Sequence, residues 1–124
     1  MAIALLSGTI NDCSPSNSLA TIENMGISPV NPTPGDLSTI WVEYTLPQDV
    51  TSGTVTYSYT LNYIPFKPYT VDLCSENECP LLAGYHNSSG TSTFPDVSGR
   101  VDGKIEWTTS DGTPIWCVRT IYNV

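Results

Sequence analysis

The sequence predicts an all-β fold, an immunoglobulin-like β-sandwich of two antiparallel sheets, and three observations support this prediction. Apolar and polar residues alternate with a period of two in several segments, which is typical of strands that bury one face. Ten prolines and nine glycines are spread along the 124 residues and divide the chain into short elements. No segment has the apolar periodicity of an amphipathic helix.

Five predicted strands follow in chain order. A weaker one covers about residues 19–27, and a clearer one covers residues 40–46. Residues 100–107 form a fourth strand, and residues 115–122 form a last one, which carries bulky side chains on both faces and leaves its buried face open. The third strand is the longest, and one of its faces carries Val55, Tyr57, Tyr59, Leu61 and Tyr63. This number of short strands suits a single sandwich domain.

Polar and proline-rich segments separate these strands. Residues 28–36 hold three prolines, which cannot donate to a sheet ladder, and therefore predict a loop. Residues 51–53 and 110–113 predict turns, the second because it contains an Asp-Gly pair. Residues 87–90, Asn-Ser-Ser-Gly, predict a polar loop. Within it, Asn87 begins an Asn-Ser-Ser triplet that fits the N-glycosylation acceptor pattern.

The chain length suits one domain. We expect that domain to span residues 11–124, preceded by an apolar segment of residues 1–10. This segment lacks a basic start and is short for the core of a signal peptide. Residues 1–10 are a signal remnant, an expression scar or an extension packed on the domain, and the sequence leaves these three alternatives open. No apolar run approaches the roughly 20 residues of a membrane span.

The chain is acidic, with a formal net charge of -8 at pH 7. Its only Lys and Arg residues are Lys67, Arg100, Lys104 and Arg119. A nucleic-acid partner requires clustered Lys and Arg side chains to neutralise phosphates, and stable docking on an anionic membrane requires a similar basic patch. The composition therefore excludes nucleic acid as a partner and argues against an electrostatic membrane anchor.

The sequence has no recognisable catalytic constellation. His86 is the only histidine, so a serine or threonine nucleophile would have no identifiable base to activate it. Gly-x-Ser-x-Gly, Walker-type and His-Glu-x-x-His motifs do not occur. We interpret Glu76 and Glu78 as members of a solvated loop rather than as paired catalytic carboxylates. We therefore predict a protein that is not an enzyme and uses no cofactor.

Four cysteines in a small chain are typical of a disulfide framework, for which three pairings are possible. The short spacing favours a local bridge between Cys74 and Cys79. Cys13 is then left to join Cys117 and tie the two ends of the chain together. A zinc site is the competing interpretation, but a Cys-x4-Cys pair with a single histidine is a poor ligand set, and we expect no metal.

Two segments depart from the pattern of a filled sandwich core. Residues 64–69 end the longest predicted strand with two prolines and two aromatic residues. Phe94-Pro95 repeats the pairing of an aromatic residue with proline in another loop. Proline prevents hydrogen-bonded closure of a sheet edge, and rigid aromatic rings at such an edge can line the mouth of a pocket between two sheets.

The cysteines and their neighbours form a series of short motifs: Asn11-Asp12-Cys13, Asp72-Leu73-Cys74, Cys79-Pro80, Asp111-Gly112 and Ile115-Trp116-Cys117. In order and spacing this series resembles the ML (MD-2-related lipid-recognition) family. That group includes the Niemann-Pick type C2 sterol carriers, fungal phosphatidylglycerol/phosphatidylinositol transfer proteins and group 2 mite allergens. The resemblance runs from about residue 11 to the C-terminus, and residues 27–35 are similar to the family's loop before its second strand.

The resemblance implies two splayed antiparallel sheets with an apolar cavity between them that holds a lipid or sterol. It also implies the disulfides Cys13–Cys117 and Cys74–Cys79, whereas a third disulfide of the family has no cysteines here. Ile64, Pro65 and Phe66 are similar to a Val-Pro-Phe segment that borders the pocket of the sterol carriers. Phe94 and Pro95 are similar to a Tyr-Pro pair at the entrance of that pocket. The expected wall residues, if their face points inward, are Tyr57, Tyr59, Leu61, Tyr63, Val101, Ile105 and Trp107.

We therefore expect a protein that binds and carries a lipid or sterol. The alternative is a secreted structural or recognition module of the same fold, with a filled core or an incidental ligand. The expected transient partners are a donor or acceptor membrane or a membrane protein. The disulfide framework predicts secretion or the lumen of an oxidising compartment, such as a vacuole or lysosome.

Overall fold

The computed structural model describes residues 8–124 as two antiparallel sheets that pack face to face. The elements in chain order are β1 (Gly8–Asp12), β2 (Thr21–Ser28), β3 (Leu37–Leu46), β4 (Gly53–Leu61), β5 (Ile64–Pro65), β6 (Tyr69–Asp72), α1 (Leu73–Glu76), β7 (Gly84–Thr93), β8 (Arg100–Thr109) and β9 (Pro114–Asn123). No helix among residues 8–124 has the length and apolar character needed to span a membrane. The predicted all-β fold class is confirmed.

Within residues 8–124, the strands of the two sheets come together along one side. The larger sheet has the strand order β1-β9-β8-β4, and β5 and β6 both pair with the outer edge of β4. The smaller sheet has the order β2-β3-β7. β1 of the larger sheet contacts β2 of the smaller sheet. On the opposite side, β7 has β3 as its single strand neighbour within residues 8–124, so β7 forms one edge and β5 with β6 the other.

Both predicted disulfides are confirmed. Cys13 joins Cys117 across a sequence separation of 104, and Cys74 joins Cys79 across a separation of 5. Because all four cysteines are consumed in disulfides, the competing interpretation of a zinc site on them is wrong. The long disulfide ties the start of the domain, just after β1, to the middle of β9, where Cys13 N–H also donates to the Cys117 carbonyl at 3.0 Å.

The interpretation of residues 87–90 as a loop is wrong. These residues lie in the middle of β7, which pairs with β3 in an unbroken register from Gly84 to Thr93. The strand escapes a search for apolar alternation because it consists mainly of Ser, Thr, Asn and Gly. Its pairing depends on backbone hydrogen bonds to β3 rather than on buried side chains.

The longest predicted strand extends too far at its C-terminal end. β4 stops at Leu61, and Asn62 and Tyr63 adopt positive φ angles of 51° and 68°. Two consecutive left-handed residues form the tight turn that suits a two-residue β-hairpin. The chain then returns along β4 as β5, so Ile64 and Pro65 pair with Leu61 and Thr60.

The predicted N-terminal segment of residues 1–10 falls partly on described residues. Gly8, Thr9 and Ile10 belong to β1 and pair with β9. Residues 1–7 lie outside the described residues.

The buried apolar side chains among residues 8–124 form two separate clusters rather than one continuous core. The larger cluster lies around Tyr44, Leu46 and Leu73 and includes Trp107 and Trp116. The smaller cluster consists of Ile27, Phe94 and Tyr122. Ile40 packs against both clusters but is only partly buried. Interiors of small domains are normally close-packed, so a division of this kind points to space between the sheets.

Candidate functional site

A cavity of about 720 Å³ lies between the two sheets. Its lining comes from β3 and β7 of the smaller sheet and from β4, β6, β8 and β9 of the larger sheet, together with α1 and the chain after β7. Pockets for small molecules are commonly of this size and are lined mainly by apolar and aromatic side chains. The cavity therefore has the volume and the position of a ligand site.

One part of the lining, here called the floor, is buried. The floor consists of Ser38 and Val42 of β3, Trp107 of β8, Trp116, Thr120 and Tyr122 of β9, and Phe94 after β7. The floor has an aromatic half, where the rings of Trp107 and Trp116 stack, and a hydroxyl half, formed by Ser38, Thr120 and Tyr122. All of its β9 members lie on one face of that strand, which settles the face that the sequence left open.

The opposite part of the lining, here called the rim, is more exposed. It consists of Tyr59 of β4, Tyr69 of β6, Glu76 of α1 and residues 89–93 of β7. The rim lies along the edge formed by β7 in the smaller sheet and the edge formed by β5 and β6 in the larger sheet, which do not pair with each other. Ligand entry is therefore geometrically possible between β7 and β6.

Two tyrosines line the cavity from neighbouring strands. The rings of Tyr57 and Tyr69 are stacked, with centroids 5.1 Å apart. The Tyr57 hydroxyl donates to the Glu76 carboxylate at 2.8 Å, which anchors α1 against β4. Burial raises the pKa of the Tyr57 phenol, and the hydrogen bond to Glu76 raises it further because the carboxylate disfavours phenolate.

A second cavity of about 470 Å³ adjoins the first at Glu76, Asn77 and Ser88, which line both. Its wall includes His86, whose ring stacks on Tyr44 with centroids 5.3 Å apart. Burial raises the pKa of Tyr44 to about 12. The side chains of His86 and Ser88 lie on the inward face of β7, whereas Asn87 lies on its outward, exposed face.

The predicted site residues divide into two groups. Those that line the larger cavity are Tyr57, Tyr59, Phe94, Pro95, Val101, Ile105 and Trp107. Leu61, Ile64, Pro65 and Phe66 do not line it. Phe66 instead stacks on Tyr59, with centroids 4.6 Å apart, and is 43 % exposed. This placement puts Phe66 next to the rim but outside the cavity.

Tyr63 is also outside the cavity, contrary to its expected place on the wall. It lies in the turn between β4 and β5, where it is 74 % exposed. The guanidinium carbon of Arg100 lies over the Tyr63 ring, 5.1 Å from the centroid of that ring. The reversal of the chain at Asn62 turns Tyr63 away from the face that carries Tyr57 and Tyr59.

Several lining residues were not predicted. Ile40 and Val42 lie on the inward face of a predicted strand and were available from its alternation. Thr120 and Tyr122 could be assigned to the lining only once the register of β9 was known. The sequence does not show this register, because β9 carries bulky side chains on both faces. The β7 residues had no apolar signal at all, so pairing with β3 alone brings them to the cavity.

Comparisons with known proteins agree on the fold. A family model described as the ML domain matches residues 7–124. A search of curated proteins finds no match to this chain. A crystal structure of a Niemann-Pick type C2 protein from the Japanese carpenter ant is 15% identical, with a TM-score of 0.70, and the match covers 93% of this chain and 98% of that chain.

Two further solved structures are similar. Chicken MD-1, crystallised in complex with lipid IVa, is 14% identical, with a TM-score of 0.67 and coverage of 94% of this chain and 88% of that chain. The C-terminal domain of wzt is 13% identical, with a TM-score of 0.61 and coverage of 91% and 75%. At such identities these likenesses show the fold alone.

Proposed function

The chain belongs to the ML domain family, and from that premise we propose that it binds a lipid in the cavity between its two sheets and carries it. The observation that supports this proposal best is the cavity itself. It separates two buried clusters, is lined from both sheets and reaches an exposed rim. The lipid IVa bound to chicken MD-1, a protein of the same fold, favours the same class of ligand.

The contacts proposed for the apolar part of the lipid are the aromatic half of the floor and the walls beside it. Ile40, Val101 and Ile105 are only partly buried although they face the space between the sheets. Each methylene of a lipid that covers such surface contributes about 0.8 kcal/mol. A long acyl chain therefore gains enough free energy to bind without a charged anchor.

The rim is the proposed route of exchange with a membrane or with a membrane protein. Ile64 of β5 and the rim residue Tyr69 of β6 are exposed on the same edge of the larger sheet, and Phe66 stacks on the rim residue Tyr59. Exposed aromatic and aliphatic side chains of this kind suit a lipid–water interface. Ile64 and Phe66 are thus proposed to contact the lipid as it enters the cavity rather than to form the cavity wall.

The cavity argues against the alternative of a module with a filled core. Lipid binding is therefore the better-supported function. The two disulfides indicate an oxidising compartment. We propose that this is the cell exterior or the lumen of a vacuole or lysosome, where Asn87 on the exposed face of β7 would be available for N-glycosylation.

A transfer assay tests carriage. Donor vesicles of phosphatidylcholine contain a pyrene-labelled lipid, and acceptor vesicles contain none. We expect the transfer rate to rise with the concentration of the protein and to be abolished by a variant whose cavity is filled. Binding of the labelled lipid without any increase in transfer would contradict carriage and support the recognition module. Absence of binding would contradict the proposed function as a whole.

A further inference from the structure

The hydroxyl half of the floor contains a side chain that lacks a partner. Thr120 is 6 % exposed and lines the cavity, and within residues 8–124 its hydroxyl makes no hydrogen bond. Ser18 Oγ, Arg100 Nε and Trp116 Nε1 are also unpaired, but they are sealed from water, whereas Thr120 Oγ1 is not. Buried hydroxyls are nearly always hydrogen-bonded, because an unpaired one costs free energy.

A glycine on the neighbouring strand leaves this hydroxyl uncovered. Gly103 of β8 stands directly opposite Thr120 of β9 and also lines the cavity. A Cβ atom at position 103 would lie 3.0 Å from Thr120 Oγ1. Glycine inside a strand can mark a place where a ligand or another backbone approaches closely. The cavity therefore extends down to the Thr120 oxygen through the space that a side chain at position 103 would fill.

Two more hydroxyls belong to residues of the hydroxyl half of the floor. Ser38 Oγ and Tyr122 OH are 3.4 Å apart, and both residues are buried. That distance is longer than the usual ~2.7 Å of a bond between hydroxyls, so their hydrogen-bonding capacity is not exhausted. Tyr122 is two residues from Thr120 on the same face of β9. Ser38, Thr120 and Tyr122 thus bring three hydroxyls that can donate or accept to the lining of the cavity.

Lys104 is the single Lys or Arg residue among those that line this cavity, and it is exposed on β8. In the described part of the chain Arg119 pairs with Asp102 at 2.5 Å, and Lys104 pairs with Glu106 at 3.6 Å. Arg100 does not line the cavity; its guanidinium lies over Tyr63, and its buried Nε has no hydrogen-bond partner. Lys67 is on the exposed segment between β5 and β6. A buried anion without a partner charge is strongly disfavoured. The hydroxyl end of the floor therefore suits an uncharged oxygen group and disfavours a carboxylate or a phosphate.

From this arrangement we infer that the cavity binds a lipid that carries an uncharged hydroxyl group, and that the hydroxyl enters first and bonds to Thr120 beside Ser38 and Tyr122. The inference rests on the proposed function and adds the class and the orientation of the ligand. Fatty alcohols, monoacylglycerols and sterols share this chemistry. The chain of the lipid then runs from the hydroxyl end of the floor along the aromatic half toward the rim.

Three probes of equal chain length test the inference: 1-dodecanol, 1-chlorododecane and dodecanoate, each measured by displacement of N-phenyl-1-naphthylamine. The variants are Thr120→Val, which replaces the hydroxyl by a methyl group, and Gly103→Ala, which covers it. We expect both to weaken binding of dodecanol about five- to tenfold, the usual contribution of one hydrogen bond. Binding of chlorododecane should stay unchanged in Thr120→Val, and dodecanoate should bind the natural chain more weakly than dodecanol.

Thr56→Val is the matched control, because Thr56 lies on β4 facing away from the cavity and should affect no probe. Equal effects of Thr120→Val on dodecanol and chlorododecane, or no effect on either, would overturn the inference while leaving lipid binding intact. Failure of the natural chain to bind any of the three probes would contradict the proposed function itself. Cholesterol and monolauroylglycerol, compared in the same assay, distinguish the natural sources of the hydroxyl.

Discussion

The indole rings of Trp107 and Trp116 stack across β8 and β9, with centroids 4.4 Å apart and an angle of 27° between their planes. The two residues pair directly in the sheet register. Tyr44 of the facing sheet packs its ring edge-on against Trp107, at 5.7 Å. Stacked and edge-to-face aromatic pairs stabilise beyond the area they bury, so the aromatic half of the floor is a fixed surface against which a lipid can pack.

The placement of the tryptophans predicts how a quenching lipid acts on fluorescence. Trp107 and Trp116 line the cavity, whereas Trp41 lies over Gly26 on the outer face of the smaller sheet. We expect a brominated acyl lipid to quench the first two and to spare the third. Trp41→Phe should therefore deepen the fractional quenching. The proposed site would be wrong if Trp41→Phe removed most of the quenched signal.

Filling the cavity should abolish binding. Ser88 is half-buried on the inward face of β7 and lines both cavities. We expect Ser88→Trp to lower the affinity for lipid at least about tenfold, because the indole occupies the space of the ligand, and to change the unfolding midpoint little. Thr56→Trp, on the outward face of β4, is the control. Equal lipid affinities of the two variants would place the ligand elsewhere.

The two disulfides should contribute unequally to stability. Chain-entropy estimates give about 4.7 kcal/mol for a closed loop near 100 residues and about 2 kcal/mol for a loop of a few residues. We therefore expect the double variant Cys13→Ala/Cys117→Ala to lose more unfolding free energy in guanidinium chloride than Cys74→Ala/Cys79→Ala. A larger loss from the short loop would show that α1 and its hydrogen bond to Tyr57 matter more than closure of the chain.

Alkaline pH should destabilise the fold. Tyrosine in the unfolded chain ionises near its ordinary pKa of 10.0, whereas burial raises the pKa of Tyr44 to about 12 and also raises that of Tyr57. Between these values the unfolded state binds fewer protons than the folded state, so stability falls as pH rises. Below pH 10 both states keep these tyrosines protonated, so their full contribution to stability is present. We expect Tyr57→Phe to flatten this decline in denaturant titrations at pH 9 to 12, and an unchanged slope would contradict the assignment.

Most of the fold was predictable because its central strands bury one face. The alternation in β3, β4 and β8 appears directly in the residues. The short spacing of Cys74 and Cys79 favoured a local bridge, which left Cys117 as the partner of Cys13. β7 was not predictable in this way. An edge strand of Ser, Thr and Gly has no buried side chains to generate a pattern, and only the pairing with β3 defines it.

The cavity was less predictable than the fold for two local reasons. The alternation of β4 continues in sequence through Tyr63, but the turn at Asn62 reverses the chain before that residue. β9 carries large residues on both faces, so its register alone reveals that Thr120 and Tyr122 point inward. The sequence does not show that the Thr120 hydroxyl faces a cavity, because large side chains flank it on both faces of β9. The role of Gly103 becomes visible only when the structure places it opposite Thr120.

Native mass spectrometry of the purified full chain tests the central claim most directly. After incubation with phosphatidylcholine vesicles that contain 1-monolauroylglycerol, we expect each chain to carry the mass of one lipid. The adduct should be lost in Ser88→Trp and kept in Thr56→Trp. A spectrum that contains only the mass of the bare chain, at every lipid concentration and in all three proteins, would contradict the account.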